Sequence, residues 1–451
     1  MQLDSVFSSS RVALPGGVQA ADVGMRNGLI AAVADAGSLT AAQVHDLDDL
    51  YLLPGLVDPH VHVNEPGRAH WEGFETASMA AAAGGVTTLV DMPLNSSPVT
   101  TTVRALRAKV ESAAGKCSVD YGFWGGLVPG NHDHLGDLLD AGARGLKCFL
   151  CPSGLDDFPA LPEADLAPAT DSLVQRGKPL LVHAEGPGVL EHAAAVCGLA
   201  DSPRSYGRYL ASRPEEAERT SIERLIALSD QTRCHTHVVH LSAASCLPLL
   251  AAARRDGTPI TVETCPHYLT LAAEDVVDGA TQFKCAPPIR SKANSAALWR
   301  ALDEGTIDLI ASDHSPCPTE LRCLDSGDFC SAWGGIAGLQ LGLALVWTEA
   351  HERGYGIDRV RAWMCTEPAR LAGIERRKGS IAEGLDADLV VFDPDATSRV
   401  DPAALLHRHP DTPYAGTELR GRVIATFLRG RCVYDNGKID GAHGQWIDAP
   451  R

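Results

Sequence analysis

DPHVHVNEPG, residues Asp58–Gly67, follows an almost unbroken apolar run, LYLLPGLV from Leu50 to Val57, and sets two histidines one residue apart before an Asn-Glu-Pro-Gly close. A run of that composition reads as a buried strand. Residues i and i+2 of a strand project to one side, so His60 and His62 face together at its C-terminal end.

The chain beyond this stretch repeats the theme. Short β-branched or apolar runs alternate with Ala- and Leu-rich helical segments, the pattern of successive βα units. The runs are PGLVDPHVHV, GVTTLVDMP, VDYGFWGGLV, RGLKCFLCP, KPLLVHAE, THVVHLS, PITVETCPHYL and IDLIASDHSP, eight between about residues 54 and 316. Eight units predict an α/β fold, a (β/α)8 barrel of the TIM type. Residues 1–53 and 377–451 instead carry short strands and Gly-containing turns, as in RVIATFLRGRCVYDNGKI. Since chain ends often lie close together, both are expected to build one small β-sandwich beside a barrel spanning 54–376.

Composition narrows the partners. A formal charge of −18 argues against nucleic acid. No apolar stretch approaches the roughly 20 residues of a membrane helix, so no membrane partner is expected. The first residues, MQLDSVFSSSRVALPGG, lack a basic segment followed by an apolar one, and a cytoplasmic location is the default expectation. Thirteen irregularly spaced cysteines, with no CxxC of the kind that clamps structural zinc, read as reduced thiols; Cys148, Cys265 and Cys317, near the strand ends, read as packing groups rather than ligands.

In a barrel of this kind chemistry sits at the C-terminal strand ends. His183 ends LLVHAE, His240 ends HVVHLS and Asp313 ends LIASDHSP. Imidazoles with a carboxylate are ligands for a zinc-like ion rather than for calcium or magnesium. Any one of these histidines alone reads better as a hydrogen-bonded core residue; four at strand ends do not. Lys147, in ARGLKCFL, falls at the same level of the fourth run, where an unpaired ammonium is costly. Either a carboxylate pairs with it, or carbon dioxide converts it to a carbamate, an anion able to bridge two ions. Four histidines, one carbamate and one aspartate suit two ions roughly 3.5–4 Å apart.

Other histidines fit less well. His132 and His134 lie in a polar, Gly-rich stretch and are expected at the surface. His235 and His237 precede the apolar part of their run and are expected away from the mouth. His267 is open between pocket and packing, and His314, facing the other way from Asp313, suits a supporting role.

With these residues placed, the sequence resembles the cyclic amidohydrolases, the group holding allantoinases, dihydroorotases and hydantoinases. The likeness covers nearly the whole chain. It includes DPHVHVNEPG, WEGFETASMAAAAGGVTTLVDMPLNSSP, KCFLCPSG, HAE, YLASRPEEAE, HLS, ETCPHYL, KCAPPIR, SDHSPC, WGGIAGLQ and KGSIAEGLDADLVVFDPD. The resemblance implies two divalent ions, zinc first with cobalt or manganese as alternatives, and a carboxylated Lys147. His60 and His62 would hold one ion and His183 and His240 the other, with Lys147 shared and Asp313 on the first. It also implies a homotetramer.

Within the group the wording is nearest the allantoinase branch. Dihydroorotases carry Arg where this chain has Asn64, to pair a substrate carboxylate; a neutral Asn suits allantoin, which bears a ureido group. Asn64, Asn95 and Ser315 are the candidate substrate contacts, although Asn95 reads equally well as a turn or cap residue. The implied chemistry is attack of a hydroxide held between the ions on a ring amide, giving allantoate, with Asp313 as general base and then general acid. Dihydroorotase and hydantoinase or dihydropyrimidinase activities are the nearest alternatives. A non-catalytic oligomeric scaffold of the same fold is the alternative of another class.

Overall fold

In the computed structural model, which describes residues 2–448, the eight apolar runs become eight parallel strands. They are Leu56–Val61, Val86–Asp91, Asp120–Phe123, Leu146–Phe149, Leu180–His183, Thr236–Val238, Ile260–Thr264 and Leu309–Ile310, called first to eighth below. The third continues past Trp124 into Gly125–Gly126, which pairs with the fourth and so joins two sheets into one. The ring closes where Val61 bridges His314 in parallel and the His62 amide donates to the His314 carbonyl at 2.8 Å.

The connecting helices start and stop where capping chemistry allows. Thr102 accepts the Ala105 amide ahead of Val103–Ala113, and Ser291 accepts the Asn294 amide ahead of Lys292–Glu304. The second of these ends on Gly305, at φ 76°, a left-handed position that suits glycine. Glu215–Thr232 carries three acidic residues in its first turn, favourable at the positive end of the helix dipole.

Val57, Val90, Trp124, Leu181, Val239 and Leu309 form one apolar cluster although they lie in, or directly after, six different strands. Such residues meet only inside a closed cylinder, so the lower barrel is packed rather than hollow. A larger cluster lies between strands and helices.

Both chain ends enter one sheet. Tyr51–Pro54 pairs antiparallel with Leu389–Arg399, joining the N-terminal strands to Glu418–Leu428 and Arg431–Asp435. Phe7 and Phe427 stand three strand spacings apart in that sheet, about 14 Å if it were flat. Their rings lie 4.7 Å apart. The sheet therefore doubles back over its own core of Phe7, Val23, Met25, Leu52, Leu389 and Phe427, which is the sandwich expected.

Candidate metal centre

Two layers of inward side chains build the site. Register places Lys147 of the fourth strand beside Leu181 of the fifth, which in turn pairs with His237. One step up, Phe149 pairs with His183. His60 and His62 enter from the first strand, and His240 and Asp313 follow the sixth and eighth. These last two hold φ of 41° and 44°, and Asn64 and Asn95, after the first and second strands, hold 67° and 68°. Left-handed backbone in non-glycine residues costs energy and clusters at functional sites. Here it turns side chains at strand ends.

The six residues with ligand chemistry come together and are all buried. Asp313 Oδ1 lies 3.2 Å from His60 Nε2 and 3.3 Å from His62 Nε2. His183 Nδ1 lies 2.9 Å from His240 Nε2, and the His60 and His240 rings are 5.4 Å apart. Ligand atoms of His60, His240 and Asp313 all fall within 4.8 Å of one another. The Lys147 ammonium stands 4.0 Å over the Phe149 ring, whose plane stacks on His183 at 4.5 Å, and donates to the Cys148 carbonyl at 3.2 Å.

Two carboxylates, not anticipated from the sequence, fix which nitrogens face the centre. Glu263 takes His60 Nδ1, and Glu185 accepts from His183 Nε2 at 2.7 Å. A carboxylate needs the N–H, so the opposite nitrogens, His60 Nε2 and His183 Nδ1, present lone pairs inward. Behind them, Arg213 grips Glu185, with Nε at 3.1 Å from Oε1. His237 Nε2 donates to Glu263 at 3.1 Å. The sequence pattern puts His237 away from the mouth; it is instead buried just beneath the cluster, because the sixth strand begins at Thr236 and puts it on the inward face. Glu185 sits two residues after His183, on the same side of an extended chain. That i, i+2 spacing was the available signal.

Charge follows burial. Burial opposes the ionised Asp313, but His60 and then the other imidazoles hold it well below the usual carboxylate range. Burial brings His183 down to about 4 and His240 well below its ordinary value, so both imidazoles are neutral at pH 7. His60 moves the other way: burial is outweighed by Asp313 and Glu263. Burial pulls Lys147 down to about 8, which makes its neutral amine accessible.

This donor set fits divalent cations: four buried imidazoles, two of them held in the tautomer that turns a lone pair inward, beside an ionised carboxylate. His62 Nδ1 and His240 Nδ1 are buried without a hydrogen-bond partner.

A cavity of about 300 Å³ opens above the centre, lined by His60, His62, His183, His240 and Asp313 and by Asn95, Arg213, Lys284, Ser315 and Trp333. Asn95 and Ser315 thus reach the cavity; the Ser315 hydroxyl also donates to the Asp313 carbonyl at 2.7 Å. Asn64 does not line it. Its amide donates to the Pro316 carbonyl at 3.4 Å and its Oδ1 is buried and unpartnered.

Four other histidines singled out by the sequence take these places. His132 and His134 lie on a short surface turn. His267 is buried near Cys265 and Asp313, with Nε2 unpartnered. His314 accepts the Gly338 and Leu339 amides at 3.3 and 3.4 Å and turns Nε2 toward Glu72 at 3.4 Å. Cys148, Cys265 and Cys317 are free, buried thiols; burial pushes Cys148 up to about 12.

Residues 51–433 match the model of the amidohydrolase family. The chain is 50% identical to an allantoinase of Streptomyces avermitilis over 99% of its own length and 98% of the relative's. It is 43% identical to an allantoinase of Arabidopsis thaliana, covering 96% and 88% respectively. Among solved structures, an L-hydantoinase from Arthrobacter aurescens superposes with a TM-score of 0.93 at 30% identity, covering 99% of both chains. A dihydropyrimidinase from Brevibacillus agri gives 0.90 at 29% identity over 98% of each.

Proposed function

This chain belongs to the amidohydrolase family, and from that premise we propose that its strand-end cluster opens the hydantoin ring of allantoin to give allantoate. The observation that carries the chemistry is the convergence of His60, His62, His183, His240, Lys147 and Asp313 on one buried centre beneath a cavity of about 300 Å³. The substrate is a small molecule, and the allantoinase names of the relatives supply its identity.

His60, His62 and Asp313 would hold one divalent ion and His183 and His240 the other, with Lys147 shared between them. Imidazole-rich ligation favours zinc, with cobalt or manganese as substitutes. The neutral Lys147 amine combines with carbon dioxide to give a carbamate and a proton, replacing a buried cation by an anion that suits two metal ions. When bound, the ions supply Lewis acidity, which makes water ionisable near neutrality and polarises an amide carbonyl.

The chain's own residues do the rest. Glu263 and Glu185 keep the imidazoles in one tautomer and orientation. Asp313, ionised and turned to the cavity, accepts the proton of the attacking water as its oxygen bonds to the ring carbonyl carbon. It returns that proton to the ring nitrogen as the C–N bond breaks. Asn95 and Ser315 stand on the cavity wall as substrate contacts; Asn64 acts from behind that wall. We assign the chemistry to residues 54–376 and a supporting role to 1–53 and 377–451. The working form is a cytoplasmic homotetramer, which light scattering would read as about four times 47.7 kDa.

The test is turnover. Zinc-reconstituted protein should hydrolyse allantoin with a kcat/KM well above its values for dihydroorotate and hydantoin. Asp313→Asn should lose about 10²–10⁴-fold in kcat. Near-normal kcat in a fully metallated Asp313→Asn protein would remove Asp313 from the proton path, and preference for dihydroorotate or hydantoin would replace the substrate.

A further inference from the structure

The cavity's polar wall sorts by what each side chain is already doing. Four imidazoles and Asp313 belong to the metal cluster. Ser153 donates to the Phe158 carbonyl at 2.5 Å and Ser315 to the Asp313 carbonyl. Arg213 is charge-balanced by Glu185. Lys284 differs from all of these. It follows the seventh strand, lines the cavity, and has no carboxylate within ion-pair distance among the described residues. Its ammonium donates to the Ala332 carbonyl at 2.5 Å and the Cys330 carbonyl at 3.5 Å. An ammonium has three N–H donors, so one remains for the cavity.

The surroundings aim that donor. The Lys284 carbonyl accepts the Gly335 amide at 2.8 Å, which fixes the 330–335 loop to the Lys284 backbone as well as to its side chain. Trp333 and Gly335 of that loop line the same cavity. The Tyr209 ring lies 5.6 Å from the ammonium on another side. Lys284 is therefore held by loops over the barrel rather than by any strand-end ligand, on the wall of the cavity that the cluster also lines. Both protein acceptors it has taken are carbonyl oxygens.

Resting on the reading of the site as an allantoin hydrolase, we propose that Lys284 is a substrate-contact residue whose remaining N–H donates to the ureido carbonyl of allantoin. Unsubstituted hydantoin lacks that carbonyl. Lys284 thus selects for the substituent and leaves the ring chemistry to the metal cluster. Burial, with Arg213 nearby, brings the Lys284 ammonium down to about 8, so it is still mainly charged at pH 7.

The experiment compares ligands that differ at the substituent. In Lys284→Met, KM for allantoin should rise about 10–100-fold, the scale of a lost charged hydrogen bond. The change in kcat should be smaller, and the inhibition constant of hydantoin, measured as a competitor, should stay essentially unchanged. Lys284→Arg, which keeps a donor, should recover part of the affinity. An equal loss for allantoin and hydantoin overturns the proposal, because it marks Lys284 as a loop tie alone; so does an unchanged KM for allantoin. Hydantoin-5-acetate binding the native enzyme more tightly than allantoin, with that advantage lost in Lys284→Met, also overturns it in favour of a carboxylate contact. Native enzyme that does not turn over allantoin at all overturns the proposed function first and this inference with it.

Discussion

Glu185 is fully buried, yet it sets the state of a residue that lines the cavity. It accepts from His183 and from Arg213, and although burial opposes its charge, Arg213 and then His183 hold its carboxyl down to about 2. Glu185→Gln keeps the shape but releases the His183 tautomer. Metal affinity should fall about 10–100-fold, read by competition with a chelator. A pH signature accompanies this in metal-free protein. The folded value lies below the ordinary 4.5, so the stability contributed by the ionised carboxyl is complete above about pH 4.5 and is lost as pH falls toward 2. Urea midpoints of the native chain should drop through that window more steeply than those of Glu185→Gln. Equal slopes would mean that Glu185 is not ionised in the fold. The ligand-type residues were legible because each ends an apolar run. Glu263 and His237 were not, because a carboxylate or imidazole one layer behind another has no distinct spacing until strand register is known; Glu185 had only its i, i+2 spacing from His183 to mark it.

At the scale of elements, the order and number of strands could be read from the alternation of apolar runs and helical segments, while the joints between them could not. The third run is continuous as written, VDYGFWGGLV, but the strand breaks at Trp124 and resumes as Gly125–Gly126 to pair with the fourth. Gly126 sits beside Lys147 in that pairing, and a Cβ there would meet the Phe158 ring at 2.6 Å and the Thr101 methyl at 2.9 Å. Phe158 packs edge-on against Phe149, the ring that stacks on His183. Gly126→Ala should therefore destabilise by about 1–3 kcal/mol through overpacking. Gly188, on helix Pro187–Val196, has open space where an alanine methyl would stand, with nothing within 4 Å, and Gly188→Ala should instead gain up to about 1 kcal/mol. Paired urea melts decide it: a Gly126→Ala midpoint no lower than native would show that the close approach there is relieved by local movement.

Across the whole molecule, barrel and sandwich are joined by buried charge. Asp120 opens the third strand; Lys378, Asp386 and Asp388 follow the barrel, and Arg429 comes from the returning C-terminal sheet. The Lys378 ammonium lies 2.6 Å from both Asp120 and Asp388 and 3.1 Å from Asp386. Burial opposes its charge, but these carboxylates, Asp388 first, keep it above the ordinary lysine range. Asp388 also accepts the Arg429 amide at 2.8 Å, while its own carbonyl takes the Gly55 amide at 2.8 Å, just where the N-terminal sheet passes into the first strand. Removing the cation strands carboxylates that cannot reach water, so Lys378→Met should cost about 3–5 kcal/mol. The exposed pair Arg420–Asp395, at 2.9 Å, is screened by solvent, and Arg420→Met should cost less than about 1 kcal/mol. Because the Lys378 network lies at the opening of the third strand and the metal cluster at the strands' far ends, kcat per metallated Lys378→Met molecule should match the native value. The lost stability should appear in the urea midpoint alone. A fall in kcat at full metal occupancy would mean that the junction sets the geometry of the strand ends as well as the stability of the fold.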